Sequence, residues 1–154
     1  MALPWGAPLT EDYLAAMPED GHRYELLDGA RRPGYEVLAA PFDVRLSRVT
    51  VLEPDVLVAR QADLTPARLE APPVLAVEVL SPSTRRIDLG SKRLAYEAAG
   101  VPAYWLVDPD VPDLTVLESE AGRYVERATV TGDEAFHATA PFPVAVGPAR
   151  LLDD

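Results

Sequence analysis

The hydrophobic and polar positions of this chain change period several times, and each change marks an element. The most apolar run, Val74-Leu75-Ala76-Val77-Glu78-Val79-Leu80, lies between Pro73 and Pro82. Its length, its valine content and the flanking prolines predict a strand buried on both faces, followed by the polar turn Ser81-Pro82-Ser83-Thr84. A single carboxylate, Glu78, interrupts it. An ionised acid in such a strand is costly unless a metal or a lysine answers it.

Upstream, Thr10 can cap a short helix over residues 10–17 that carries acids in its first turn and ends at Pro18. Residues 22–29 alternate as a strand, with Glu25 on the face opposite Tyr24, and close on the Asp28-Gly29 turn signal. Residues 35–46 read as a strand broken near Pro41, continuing as a hairpin through Ser47-Arg48. The strand at 53–59 begins at Pro54, with Asp55 as its first side chain, and residues 64–69 form at most a helical turn.

Downstream, residues 84–100 have a helical body with Leu89, Leu94, Ala95 and Ala98 as its apolar stripe and Gly100 as its C-terminal cap. Residues 101–109 are another apolar strand. Residues 114–118 and 123–128 alternate around Ala121-Gly122 as an antiparallel hairpin, and residues 140–146 form an edge strand. Helix, strands, central helix, strands is the order of a mixed α/β (α+β) domain built on one sheet, here taken as residues 1–154.

Composition narrows the class. A chain of 154 residues that is 48% hydrophobic supports one sizeable core. With no cysteine, disulfides and thiol chemistry are excluded, and the start of the chain has neither a basic n-region nor an apolar h-region. No apolar run approaches the roughly 20 residues that span a bilayer, so a cytoplasmic protein without membrane contact is expected. Fourteen basic against 25 acidic residues give a net charge of −11, which argues against general adhesion to nucleic acid but leaves room for a local basic patch.

Three acids stand at strand positions in separate segments: Glu25, Asp55 and Glu78. Mg²⁺ takes oxygen ligands, keeps several waters and usually binds one or two protein carboxylates. Asp55 and Glu78 on adjacent strands could share one ion, with the Val79 carbonyl as a further ligand. Lys92 is the only lysine, and from the helix after the strand it could reach back to a water or a phosphate oxygen. Neither His22 nor His137 belongs to an HExxH or nucleophile-elbow pattern.

Four blocks in order carry a family resemblance: Pro54-Asp55-Val56-Leu57-Val58; Val77-Glu78-Val79-Leu80-Ser81-Pro82-Ser83-Thr84; Asp88, Lys92 and Tyr96 spaced by three residues; and residues 100–108. Together with Tyr24-Glu25-Leu26-Leu27-Asp28-Gly29 and residues 10–14, they resemble the Uma-two family of restriction endonucleases, within the PD-(D/E)XK nuclease superfamily. The resemblance implies a restriction-endonuclease-like core with a mixed sheet, flanking helices and a C-terminal hairpin. It implies an endonuclease that hydrolyses DNA with Mg²⁺ or, in its place, Mn²⁺. Asp55, Glu78 and Val79 would hold the metal, Lys92 would take the lysine role and Glu25 would complete the acidic cluster. The superfamily's usual lysine position is occupied here by Leu80, so the charge comes from the helix instead. Arg85, Arg86 and Arg93 form the expected DNA patch. Only residues 30–34 stand where the family carries a longer segment with a helix; the uncovered flank makes a homodimer one expected remedy, and a silent nuclease-fold interaction module is the alternative reading.

Overall fold

The computed structural model describes residues 34–151. The helix expected at 10–17, the strand carrying Glu25 and most of the 30–34 junction lie outside the described residues. Ten strands are seen: β1 (Tyr35–Ala39), β2 (Val44–Arg45), β3 (Val51–Leu52), β4 (Val56–Arg60), β5 (Leu75–Val79), β6 (Ala103–Asp108), β7 (Asp113–Glu120), β8 (Arg123–Thr131), β9 (Phe136–Ala138) and β10 (Val144–Val146). The helices are α1 (Arg85–Ile87), α2 (Arg93–Ala98) and α3 (Pro148–Leu151), and a π-helical turn, Asp88–Lys92, joins α1 to α2.

Among the described residues six strands make the central sheet, in the order β1-β4-β5-β6-β7-β8. All its pairings are antiparallel except β5–β6, whose two strands run parallel because the helical segment carries the chain back between them. The architecture is thus α+β around a mixed sheet, as the order of elements predicts. The hairpin β7–β8 turns at Ala121 and Gly122, both with positive φ, the conformation of a two-residue turn that matches strand twist. The expected break after β1 and the hairpin β2–β3 are both present, whereas the edge strand expected at 140–146 shrinks to β10, paired with β9 in a small sheet of its own.

Both faces of the central sheet are covered. Alternate residues of β6 divide between them: Trp105 and Val107 pack with Val58, Leu75, Val116 and the β9–β10 sheet, while Tyr104 and Leu106 pack with Ala76, Leu80 and Tyr96 beneath the helix. Leu38, Leu57 and Ala59 extend the helix-side core toward Val44 and Leu69. Leu75, Ala76 and Glu78 of β5 are buried, Val77 is half-buried, and burial fails at Val79, which is 42% exposed.

The apolar stripe expected on the helix is corrected. Leu89 and Leu94 face outward, 42% and 61% exposed, and the inward line consists of Asp88, Lys92 and Tyr96. The helix packs over a buried acid, so polar partners for that acid displace leucine from its inner face. The helix stops as its glycine predicts: Gly100 has φ +76°, its N–H donates to Glu97 O, and Val101 N–H donates to Tyr96 O at 3.0 Å. Among the described residues no helix is long and apolar enough to cross a membrane.

Candidate active site

The chemistry gathers where β5 ends. The β4–β5 register pairs Val56 with Val77, which puts Asp55, one step before β4, across from Glu78. Val79 N–H donates to Asp55 Oδ2 at 2.7 Å, so the last residue of β5 pins the acid that precedes β4. Because a strand residue's N–H and C=O leave on the same side, the Val79 carbonyl faces the same flank as Asp55. The turn that follows is braced by Ser81 Oγ, which lies 2.9 Å from Thr84 Oγ1 and accepts from Thr84 N–H, while Ser81 O accepts from Arg85 N–H at 2.8 Å.

Asp55, Glu78, Val79, Ser81, Thr84 and Asp88 line a cleft of about 480 Å³. Lys92 is not part of its wall but stands directly behind it. Its Nζ is 3.0 Å from Glu78 Oε1 and 3.2 Å from Asp88 Oδ1. The second contact is one of charge alone, since Asp88 Oδ1 makes no well-formed hydrogen bond although Asp88 is only 1% exposed. Tyr96 adds a second donor to Glu78: its hydroxyl lies 3.1 Å from the same Oε1. Tyr104 OH donates to the Asp88 carbonyl at 2.8 Å, and Tyr124 OH donates to the Val101 carbonyl at 2.9 Å. The three rings form a ladder with centroids 5.1 and 6.0 Å apart.

Burial pushes the Glu78 carboxyl up to about 7; the Lys92 ammonium pulls it down, and Asp55 and Asp88 add to the rise. Burial also works against charge on Lys92, yet Glu78 and Asp88 outweigh it and hold the ammonium above the ordinary lysine value. Burial and the neighbouring Glu78 raise the Tyr96 phenol well above its ordinary range, so Tyr96 donates a proton in hydrogen bonding and does not surrender it.

Of the residues expected from the sequence, Asp55, Glu78, Val79 and Lys92 come together here; Glu25 lies outside the described residues. The three arginines divide. Arg85 is committed to the buried Asp108, Nη1 to Oδ2 at 2.5 Å, Arg86 is exposed, and Arg93 lies in a second groove with Leu89, Glu97 and Arg123. Two further inward residues, Asp88 and Tyr96, join the site beyond those expected; their four-residue spacing around Lys92 is the sequence signal that places all three on one helix face.

Among the described residues no group of three or more His, Asp or Glu side chains could hold a metal on protein ligands alone. A hard divalent cation that keeps most of its waters needs fewer. Every donor seen on Glu78 reaches Oε1, and the donor seen on Asp55 reaches Oδ2. Among the described residues each acid therefore has one oxygen held by the protein and a second with no protein donor, and the residues present fit such an ion.

Comparison with solved structures finds a similar fold in a protein from Anabaena variabilis ATCC 29413 described as a putative nuclease belonging to DUF820. The two share 15% sequence identity at a TM-score of 0.60, over 77% of this chain and 68% of that one. Among curated proteins nothing matches. The profile of the family described as Uma2, putative restriction endonuclease, matches residues 27–150 and so spans β1 through most of α3. By that match, the chain belongs to the Uma2 restriction-endonuclease family.

Proposed function

We propose that this protein is a divalent-metal-dependent endonuclease that hydrolyses phosphodiester bonds in DNA, and that the cleft at the end of β5 is its active site. The observation that carries the reading is the meeting of Asp55, just before β4, with Glu78 on β5 in one cleft, with Lys92 of the helical segment bonded to Glu78 behind it. Asp55 and Glu78, with the Val79 carbonyl, would hold Mg²⁺ or Mn²⁺. Bound there, the ion would polarise a water and offset charge on the phosphate.

The chain's own residues supply the rest. Val79 N–H and Lys92 orient the two carboxylates, and the Lys92 ammonium, charged at neutral pH, favours the additional negative charge that develops on the phosphate during attack. Hydrolysis adds a water oxygen to phosphorus, breaks one P–O ester bond and transfers a proton from that water to the leaving oxygen. Arg86, exposed near the start of the same helix, would meet a DNA phosphate.

A second reading is a nuclease fold that binds without cutting. It is favoured by Lys92, which already answers both Glu78 and Asp88 from within the chain. One experiment separates the two. Supercoiled plasmid incubated with Mg²⁺ or Mn²⁺ at several salt concentrations should be nicked or linearised by the wild type and left intact by D55N and E78Q. Cleavage that persists in both variants overturns the assignment of this site, and failure of the wild type to cleave under every condition overturns the nuclease assignment.

A further inference from the structure

We propose that Tyr96 is the positioning residue of this acidic cluster, its hydroxyl committing Glu78 Oε1 to the protein so that Oε2 is the oxygen presented to a divalent cation. The inference rests on the metal site of the reading above and deepens it. Both protein donors to Glu78 converge on Oε1, Tyr96 OH at 3.1 Å and Lys92 Nζ at 3.0 Å. They are not equivalent. An ammonium on a four-carbon stem has three rotatable donors and can follow either oxygen as the carboxylate turns. The phenol cannot.

Tyr96 is fully buried, and its ring packs against Tyr104, which is itself tied through its hydroxyl to the Asp88 carbonyl. The Tyr96 carbonyl accepts from Val101 N–H in the motif that ends the helix. Ring and backbone are thus both fixed, and the hydroxyl is a stationary point from which the orientation of Glu78 is set. A carboxylate already turned to its ligand binds a cation without first losing that freedom, which is why partners of metal-binding carboxylates matter beyond their own hydrogen bond.

The test compares Y96F with Y124F in the full-length chain. Each removes one buried hydroxyl from the same ladder, but only Tyr96 touches Glu78. Mn²⁺ binding by titration calorimetry should weaken about tenfold in Y96F and stay unchanged in Y124F. Cleavage by Y96F should regain the wild-type kcat at saturating Mn²⁺, leaving the defect in the metal concentration required. Equal Mn²⁺ affinity in Y96F and wild type overturns the inference, and so does equal weakening in both variants. Wild-type protein that takes up no Mn²⁺ removes the metal site itself and this inference with it, an outcome distinct from the other two. Should thermal melting show that metal-free Y96F does not fold, Y104F frees the supporting ring from Asp88 and is expected to weaken Mn²⁺ binding severalfold; unchanged affinity there overturns the inference equally.

Discussion

Val79 N–H and Asp55 Oδ2 lie 2.7 Å apart, joining the end of β5 to the residue before β4 by a bond outside the regular ladder. A backbone donor thereby fixes one oxygen of an acid that lines the cleft. Asn at position 55 can keep that acceptor while losing the charge. D55N is therefore expected to melt within about 1 kcal/mol of wild type yet to bind Mn²⁺ at least tenfold more weakly, read by denaturant unfolding and calorimetry on the same samples. Similar losses in both would mean that Asp55 serves the fold alone.

Lys92 is 20% exposed and faces two acids that are each 1% exposed. Breaking such a pair from one side leaves buried charge without compensation. K92M should lose roughly 3 kcal/mol of stability at pH 8, and adding E78Q to it should restore a substantial part. Denaturation of the two single variants and the double variant measures the coupling; simple additivity would show that the ion pair contributes nothing.

The raised carboxyl of Glu78 makes a pH prediction for metal-free protein. With a value of about 7 in the folded chain against an ordinary 4.5, the folded state holds a proton that the unfolded state has released between those limits. Stability from this group is complete below about pH 4.5 and is lost as pH rises through 7, a fall of about 3 kcal/mol. Asp108, held down by Arg85, works in the opposite sense, but only at pH values below its ordinary 3.8. Unfolding free energies at pH 5, 6, 7 and 8 should therefore decline in the wild type and flatten in E78Q; parallel profiles would contradict the assignment.

Arg85 and Arg86 are neighbours with different duties. Arg85 is spent on Asp108, whereas Arg86 is exposed. R86A should weaken DNA binding across sequences and reduce the slope of log affinity against log salt by about 1. R85A should act mainly through stability, by no more than about 1 kcal/mol given its own exposure. Fluorescence anisotropy at several salt concentrations distinguishes them, and equal slopes for both variants would show that the Asp108 pair does not withhold Arg85 from DNA.

Much of this arrangement is legible in the sequence. Strands β4 to β8 announce themselves by valine-rich runs and alternation, and an acid inside such a run, as at Glu78, signals an unusual neighbour. The convergence of Asp55 with Glu78 follows once the two strands are adjacent. What period-counting misreads is the helix. Leu89 and Leu94 suggest a buried stripe only if the sheet beneath offers an apolar surface, but Glu78 offers charge there, and Asp88, Lys92 and Tyr96 answer it. The π-helical turn is equally hidden, because nothing in Asp88-Leu89-Gly90-Ser91-Lys92 distinguishes five residues of wide helix from five of ordinary helix.

That turn makes the site sensitive to residue count in a way that no single side chain does. In a regular α-helix each residue advances about 100°, so side chains four apart overshoot a full turn by about 40°, and three in series spread over about 80°. The wider Asp88–Lys92 turn absorbs part of that drift and keeps Asp88, Lys92 and Tyr96 in line above β5. A natural insertion or deletion of one residue between Asp88 and Lys92 would leave the strands and their acids in the sequence while taking the lysine and tyrosine out of line with Asp88. In this fold, one residue more or less in that turn would dismantle the contacts around Glu78 without changing a single acid.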